Sequence, residues 1–395
     1  MRILHTADWH LGKTLEGRSR LPEQEDVLNE MVEIVKDDQI DLIVMAGDVY
    51  DTVNPPAAAE QLFYDSIVRL TQNGRIPIAV ISGNHDSPDR LMASHPIAEK
   101  YGIHLYGLPR LEPLKLRVGR DEEEAIIIPF SYPSESRLKQ ALTAEADEGR
   151  LQKAYSAVIR SMMEQASKAF SAHSVNLIMS HLYTLGGAES DSERPVQVGG
   201  AYTVDPSAFD VGAHYTALGH LHRPQNVKGP SLVRYSGSPL AYSFSEAGQA
   251  KSVTIIEAAA GQPVRYEERF LRSGKPLVAW DAKNGLQQVY SWLEEGIDAD
   301  AWIDLKIHLT DALTLEDIHK LRSLHSGIIH IRPIFPEMER QDAPGQRLAL
   351  PLDELFRRFY SRQTGGGEAS DELIRLFMEL ASRDEEDETA LEGIG

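Results

Sequence analysis

The apolar positions of the first eighty residues follow two periodicities. Short, mainly apolar runs at 3–5, 41–46 and 76–81 predict buried β-strands, whereas apolar residues three or four apart over 23–36 and 57–72 predict amphipathic helices. Strands separated by helices of this length are typical of βαβ units, in which neighbouring strands run parallel. We therefore expect this region to form a parallel sheet with helices packed on it.

The pattern changes in the next part of the chain. It predicts a strand at 125–130, a long helix at 151–172, a strand at 175–180, and short β-like runs at 215–218, 232–235 and 252–257. A sheet that begins with parallel strands and ends with short ones, flanked by helices, indicates two packed mixed sheets between helical layers. The predicted fold class is therefore α/β.

A turn-rich segment at Ser273-Gly274-Lys275-Pro276 predicts a domain boundary. The pattern beyond it predicts a compact α/β unit: a helix at 281–295, a strand at 302–309, a helix at 315–323 and a strand at 328–334. Amphipathic helices follow at 352–360 and 371–381, separated by glycines at 365–367, and we expect the acidic end of the chain to be disordered. The predicted domains are 1–272, 273–340 and 341–395. The terminal helix pair either docks on a partner or packs on its own domain, and its pattern fits both.

Composition limits the kinds of functional site the chain can form and where in the cell we expect it. The 395 residues include no cysteine, which excludes disulfides, thiolate zinc sites and cysteine nucleophiles. We find no secretory signal pattern and no apolar run near the ~20 residues that span a bilayer, and we expect a cytoplasmic protein. The formal net charge of −20 argues at first sight against phosphate contacts, but part of it is local, in runs at 121–124 and 384–388. A nucleic-acid substrate would therefore require local basic patches or a partner's surface.

Five short groups of metal-binding side chains lie far apart in the sequence. They are Asp8-Trp9-His10, Gly47-Asp48, Gly83-Asn84-His85-Asp86, Ser180-His181 and Gly219-His220-Leu221-His222. Four of the five directly follow a predicted strand. Because strand ends at one edge of a sheet converge, these side chains can build a single site. Two divalent metals that share such a site are suited to attack on phosphate esters.

The spacing within these groups suggests how they reach the site. We expect Asp8 and His10 to alternate along an extended segment, so that both side chains point the same way, and His220 and His222 to repeat this geometry. Asp48 ends an apolar strand, and its two carboxylate oxygens suit it to bridge two cations.

The remaining groups fit metal binding better than turn or core roles. Turn chemistry would explain Gly83-Asn84, but it does not explain His85-Asp86 immediately afterwards. His181 ends another apolar strand. A single buried histidine is usually a satisfied core residue, whereas histidines, aspartates and an asparagine together at strand exits indicate a metal site.

In this order the groups resemble the motifs of the calcineurin-like metallophosphoesterase family, D-W-H, G-D, G-N-H-D, H and G-H-L-H. The resemblance implies a four-layer sandwich of two mixed sheets flanked by helices, with a small α/β capping domain and C-terminal helices. It also implies two metal sub-sites. The implied ligands are Asp8, His10, Asp48 and His222 for one metal, and Asp48, Asn84, His181 and His220 for the other. Nitrogen and oxygen donors suit manganese, iron or zinc, and the family resemblance favours two Mn²⁺ ions.

The resemblance implies hydrolysis by a water molecule that both metals activate for in-line attack on phosphorus. The leaving sugar oxygen then needs a proton. His85 follows the ligand Asn84 but is not itself assigned to a metal, and it is the candidate catalytic acid. Asp51 or Asp86 could orient His85, and a turn or capping role fits either of them equally well.

The wider sequence resembles the DNA nucleases of this family that work with a coiled-coil ATPase. The sequence segments that carry this likeness are Leu4–Gly12, Ala46–Asp51, Ser82–Ser87, Ala217–His222, Tyr235–Pro239 and Phe359–Gly366. They imply a 3′–5′ double-strand exonuclease and a hairpin or single-strand endonuclease that acts in DNA repair and recombination, as a homodimer within a heterotetramer. The capping unit would contact DNA, with Lys275, Lys306, Arg322 and Arg332 as candidates, and the helices at 352–360 and 371–381 would dock on the ATPase.

Two other interpretations use the same residues. A small-molecule phosphodiesterase or phosphatase needs the same metals, but it has no use for a second α/β unit or a docking helix pair. A non-catalytic scaffold is expected to have lost ligands, and here each of them is present. The sequence contains no phosphate-binding loop of the Walker type, so any ATP dependence must come from a partner.

Overall fold

The computed structural model describes residues 1–133, 148–188, 193, 203–335, 352–363, 367 and 369–378. The strands are β1 (Arg2–Thr6), β2 (Thr14–Leu15), β3 (Arg18–Ser19), β4 (Leu42–Ala46), β5 (Ile78–Ile81), β6 (Ile103–Tyr106), β7 (Leu114–Val118), β8 (Glu123–Phe130), β9 (Val175–His181), β10 (Tyr215–Gly219), β11 (Gln225–Val227), β12 (Val233–Tyr235), β13 (Ser252–Glu257), β14 (Arg265–Phe270), β15 (Leu277–Ala282), β16 (Trp302–His308) and β17 (Ile328–Ile334). The helices are α1 (Leu21–Asp37), α2 (Ala57–Leu70), α3 (Pro88–Met92), α4 (His95–Ala98), α5 (Glu148–Ala166), α6 (Leu286–Glu294), α7 (Leu315–Leu324), α8 (Leu352–Gln363) and α9 (371–378).

The first sheet has the strand order β14-β13-β1-β4-β5-β6. Strands β1, β4, β5 and β6 run parallel, and β13 and β14 extend the sheet with antiparallel pairing. The central strand β4 is buried along its whole length because both of its faces are covered. Ile43 and Met45 pack with residues of α1 and α2, such as Phe63, while Leu42 and Val44 pack toward the second sheet.

The second sheet has the order β11-β12-β10-β9-β8-β7. Strands β8, β9, β10 and β12 are parallel, and the edge strands β7 and β11 are antiparallel. Tyr155, Ile159 and Met163 of α5 pack on its outer face. Ile127 and Leu177 on its inner face pack against the first sheet. The resulting layers are helix, sheet, sheet and helix, which confirms the predicted α/β class with two mixed sheets.

The chain divides into two compact units, Met1–Leu277 and Val278–Gly395. The second unit contains the sheet β15-β16-β17, in which β16 and β17 are parallel. Its core includes Val289 of α6 and Leu321 of α7. Helices α8 and α9 contact each other through Phe356 and Phe377, whose stacked rings have centroids 4.1 Å apart.

The three-domain division at 272 and 340 stays a prediction. Several segments to which the sequence assigns a role lie outside the described residues. They are Gly365-Gly366, the last residues of the helix predicted at 371–381, and the acidic run Asp384–Glu388. No helix in the described part of the chain combines the length and apolar character needed to cross a membrane.

Some predicted boundaries are wrong. The helix predicted at 281–295 begins only at Leu286, because Trp280 and Ala282 are buried in alternation as part of β15 and the intervening Gly285 has a φ of +71°. The helix predicted at 151–172 ends at Ala166. Strand β14 was not predicted, since none of its residues is buried and its sequence shows no apolar run.

Candidate metal centre

The predicted ligands converge because they follow parallel strands of both sheets. The loops after β1, β4 and β5 meet the end of β9 and the loop after β10 at the same edge of the sandwich. Most of these side chains are inaccessible to solvent. The exposed fractions are 0% for Asp8 and His181, 1% for His10 and His222, 2% for Asp48 and 5% for His220, and Asn84 is half-buried.

One group of donors surrounds His10. Nε2 of His10 lies 3.1 Å from Nε2 of His222 and 3.5 Å from Oδ2 of Asp48. Asp8, His10 and His222 each offer a donor atom within 4.8 Å of the other two. Four residues are thus gathered around one point, and they are the four that the family resemblance assigns to the first metal.

A second group surrounds His181. Its Nε2 lies 3.4 Å from Oδ2 of Asp48 and 2.9 Å from Oδ1 of Asn84, and Nδ1 of His220 lies 3.3 Å from the same Asn84 oxygen. Oδ2 of Asp48 therefore faces both donor groups, while Oδ1 of Asp48 accepts a hydrogen bond of 2.9 Å from the main-chain N–H of His85. Asp48 therefore reaches both groups through one oxygen, Oδ2, and not through its two oxygens, and its bridging role stays a prediction.

The backbone at the ligands differs from the extended alternation expected for Asp8 and His10. Both residues have left-handed φ angles, +55° and +45°, and Asp48 and His220 have φ angles of +50° and +105°. The loops are fixed in this form because Asp8 N–H donates to the Gly47 carbonyl and His10 N–H to the Asp48 carbonyl, each at 3.0 Å. Backbone strain of this kind is concentrated at functional sites, where the surrounding structure enforces it.

Two glycines are required by close approach. A Cβ at Gly83 would lie 2.1 Å from Oδ1 of Asp48, and one at Gly219 would lie 2.0 Å from the carbonyl oxygen of Ala46. Both distances are far inside van der Waals contact. The glycines within the sequence groups thus allow the strand ends to approach one another.

His85 is oriented by the main chain. Its Nδ1 lies 2.7 Å from the carbonyl oxygen of Asp51, which can only accept, so that Nδ1 carries the hydrogen. The Asp51 carboxylate instead faces Lys13 Nζ at 2.7 Å and His10 Nδ1 at 3.4 Å. The Asp86 carboxylate accepts from the main-chain N–H groups of Gly83, Val49 and Tyr50. Asp86 therefore ties two loops together, and the main chain of Asp51, rather than its carboxylate, contacts His85.

Burial favours the neutral, metal-binding form of two of the imidazoles. Burial lowers the pKa of His10 to about 4 and that of His220 to about 3, so both rings keep a lone pair at neutral pH. Burial also raises the pKa of Asp8 to about 7. Burial acts against the charged forms of His181 and Asp48 as well, but their mutual attraction outweighs it. The pKa of His181 rises to about 9, and that of Asp48 falls well below its usual range.

Several residues near the ligands were not found from the sequence. Tyr242 lies edge-on to the rings of His10 and His222, with centroids 5.4 and 5.8 Å away, and its hydroxyl donates to the Trp9 carbonyl. Glu246 lies 3.5 Å from Nδ1 of His222. Neither residue follows an apolar strand or belongs to a group of donor residues, so no local pattern indicates them.

The basic residues predicted to contact DNA lie in different elements. Lys306 and Arg332 are exposed and in register on the parallel strands β16 and β17. Nε of Arg332 lies 3.0 Å from Oδ1 of Asp304, which offsets part of its charge. Arg322 belongs to α7, and Lys275 belongs to the first compact unit. Their contact with DNA stays a prediction.

The sequence matches the family model described as calcineurin-like phosphoesterase over residues 1–224. It is 54% identical over 389 residues to a protein of Bacillus subtilis that is named as the SbcD component of the nuclease SbcCD, a match that covers 98% of this chain and 100% of that protein. Proteins of the same name from Rhodobacter capsulatus and Staphylococcus epidermidis are 38% identical over 286 residues and 36% identical over 261 residues. These two matches cover 67% and 65% of this chain, and 68% and 66% of the relatives.

Proposed function

Because the chain belongs to the SbcD nuclease family of calcineurin-like phosphoesterases, we propose that it cleaves DNA phosphodiesters as a 3′–5′ double-strand exonuclease and a hairpin or single-strand endonuclease. Membership of this family makes it a metal-dependent nuclease. The direction in which it degrades DNA, the DNA ends it prefers and its role in DNA repair and recombination are the proposed part. The full-length match to the Bacillus subtilis relative argues against the small-molecule phosphodiesterase or phosphatase.

The observation that carries this proposal is the convergence of carboxylate, amide and imidazole donors around Oδ2 of Asp48. The donors fit hard or borderline divalent cations, and the buried Oδ2 of Asp8 has no hydrogen-bond partner among the described residues. We assign Asp8, His10, Asp48 and His222 to one cation, and Asp48, Asn84, His181 and His220 to the other. We propose Mn²⁺ as the native ion.

The chain's own residues supply the positioning and the proton. When bound, the two cations would lower the pKa of the attacking water and offset the charge on the phosphate. His85 donates its Nδ1–H to the Asp51 carbonyl, so Nε2 is the nitrogen left to face the leaving sugar oxygen. The ring acts as the acid in its doubly protonated form: it gives up the Nε2 proton, keeps the Nδ1–H and ends as the neutral imidazole. Its ring lies edge-on to that of His10, with centroids 4.7 Å apart, so the acid is held next to the ligands.

We further propose that the nuclease acts with an SbcC-type coiled-coil ATPase, as a homodimer within a heterotetramer. Helices α8 and α9 are the proposed docking segment. Leu352, Leu355, Phe359 and Leu376 expose 45–57% of their surface, and several exposed apolar side chains on two helices that contact each other are typical of a docking surface. The net charge of −20 supports the same arrangement, since a partner's basic surface would strengthen DNA binding.

The function is tested with purified protein and Mn²⁺. A labelled DNA hairpin, a labelled duplex and a generic phosphodiester such as bis(p-nitrophenyl) phosphate are compared, with and without the ATPase, and Asp48→Asn serves as the inactive control. We expect cleavage of both DNA substrates that requires Mn²⁺ and is absent in the control. Cleavage of the small ester alone, with DNA intact even in the presence of the ATPase, would contradict the proposal.

A further inference from the structure

A buried ion pair lies behind His222, on the side of the ring opposite His10. Nε2 of His222 lies 3.1 Å from Nε2 of His10, whereas Nδ1 lies 3.5 Å from Oε1 of Glu246. The two nitrogens of an imidazole have separate roles, because the hydrogen bond made by one decides which of them is free to bind a metal. His222 therefore faces the proposed cation with one nitrogen and Glu246 with the other.

Both carboxylate oxygens of Glu246 have hydrogen-bonding partners that hold the side chain in place. The residue is fully buried, its Oε1 accepts from the main-chain N–H of Tyr242 at 3.0 Å, and its Oε2 pairs with Nζ of Lys251. Nζ of Lys251 also donates to the His222 carbonyl at 3.0 Å and to Oγ of Ser238 at 3.1 Å. The ammonium thus finds three acceptors, and the cluster holds both the ring and the main chain of His222.

We propose that Glu246 is a positioning residue for His222: it accepts the Nδ1–H and so fixes the tautomer whose Nε2 lone pair faces the cation. Lys251 balances the buried charge. This inference rests on the proposed ligand set. A carboxylate behind a ligating imidazole orients the ring and increases its basicity, and its loss weakens metal binding.

The second sub-site is built differently. Nδ1 of His181 lies 2.8 Å from the carbonyl oxygen of Ala46, so its tautomer is fixed by a neutral acceptor. In the sub-site of His222 the nearest acceptors behind the rings are carboxylates instead: Glu246 behind His222 at 3.5 Å and Asp51 behind His10 at 3.4 Å. A change at Glu246 is therefore expected to weaken the cation held by Asp8, His10 and His222 more than the one held by His181.

A purely structural ion pair is the competing explanation, since Glu246 and Lys251 also tie together the segment before β13. Removing one partner of a buried pair destabilises a protein, whereas replacing both with neutral groups of similar shape is often tolerated. Glu246→Gln is therefore compared with the double variant Glu246→Gln/Lys251→Met. The matched control is Glu268→Gln, which removes the partner of the buried Arg234 and contacts no proposed ligand.

The measurements are calorimetric titration of the full-length protein with MnCl₂ and urea unfolding in the presence of a chelator. We expect wild type to bind two Mn²⁺ ions, and Glu246→Gln to bind one of them about 10- to 100-fold more weakly. His222→Ala should bind only one Mn²⁺ ion, and the binding event that is missing identifies the site that Glu246→Gln weakens. The double variant should regain stability without regaining affinity, and Glu268→Gln should bind both ions like wild type.

Two results would overturn the inference alone. One is wild-type affinity in Glu246→Gln while His222→Ala still loses an ion. The other is a double variant in which stability and affinity recover together, since the pair would then act only through folding. Failure of the wild-type protein to bind any Mn²⁺ would overturn the proposed function as well.

Discussion

At the scale of single residues, His85 is attached to the centre through its main chain. Its N–H donates to Oδ1 of Asp48 at 2.9 Å, and its ring donates to the Asp51 carbonyl at 2.7 Å. It can therefore be removed without removing a proposed ligand. This separation of roles makes the catalytic acid testable apart from the metals.

We predict that His85→Ala binds two Mn²⁺ ions like wild type but cleaves the DNA hairpin about 10²- to 10⁴-fold more slowly, because the leaving oxygen loses its proton donor. Calorimetry and single-turnover cleavage measure the two effects. His95→Ala, which removes a partly exposed histidine of α4, is the control and should change neither. A fall in metal occupancy together with activity would make His85 a ligand.

Gly83 has a steric role at the metal centre. We predict that Gly83→Ala weakens binding of both Mn²⁺ ions, because the added Cβ would lie 2.1 Å from Oδ1 of Asp48, the proposed bridge. The control is Gly261→Ala, where the Cβ meets open space but φ is +67°. It should lose about 1–2 kcal/mol of stability from backbone strain and no metal affinity. Wild-type Mn²⁺ affinities in Gly83→Ala would show that metal binding by Asp48 does not depend on the close approach of Gly83.

At the scale of elements, the site depends on loops that hold one another. The loop after β1 is hydrogen-bonded to the loop after β4, and Asp86 joins the loop after β4 to that after β5. The strands determine where these loops begin, but the hydrogen bonds between loops determine where the ligands point.

We predict that Asp86→Ala lowers the free energy of unfolding by at least about 3 kcal/mol, since it deprives three main-chain N–H groups of their acceptor and each buried, unpaired N–H costs about 1–3 kcal/mol. Urea unfolding with a chelator present measures this loss apart from metal binding. Asp205→Ala, which removes an exposed acceptor of a single N–H, should lose only about 1 kcal/mol. Equal losses of unfolding free energy in the two variants would contradict the role of Asp86 in holding the two loops together.

At the scale of the whole molecule, the proposed partner segment is separate in sequence from the metal centre. The ligands lie between residues 8 and 222, and the apolar side chains exposed on α8 and α9 lie beyond residue 351. Docking and catalysis are therefore expected to respond to different changes.

We predict that deletion of residues 352–395 abolishes co-purification with an SbcC-type ATPase but leaves hydrolysis of bis(p-nitrophenyl) phosphate unchanged. The milder variant Leu355→Asp/Phe359→Asp should act in the same direction, because it places charge on exposed apolar positions. Glu354→Gln, a change on the same helix that keeps the apolar positions, is the control. Complex formation by the truncated chain would contradict the docking role.

The sequence by itself determined the layers and the types of donor residue. β4 and β9 were predicted to within one residue of their bounds, because strands buried on both faces are continuous apolar runs. The polar groups that follow such runs are conspicuous for the same reason. The exposed edge strand β14 was missed because its residues carry no such local signal.

Only the tertiary structure decided how the donors are arranged. The left-handed φ angles at Asp8 and His10 come from hydrogen bonds to the loop after β4, not from their own spacing. Asp51 contacts His85 across 34 positions of sequence, and Glu246 lies behind His222 across 24. Local patterns report burial and chain direction, whereas these contacts depend on how distant segments pack, and a sequence pattern carries no information about such distances.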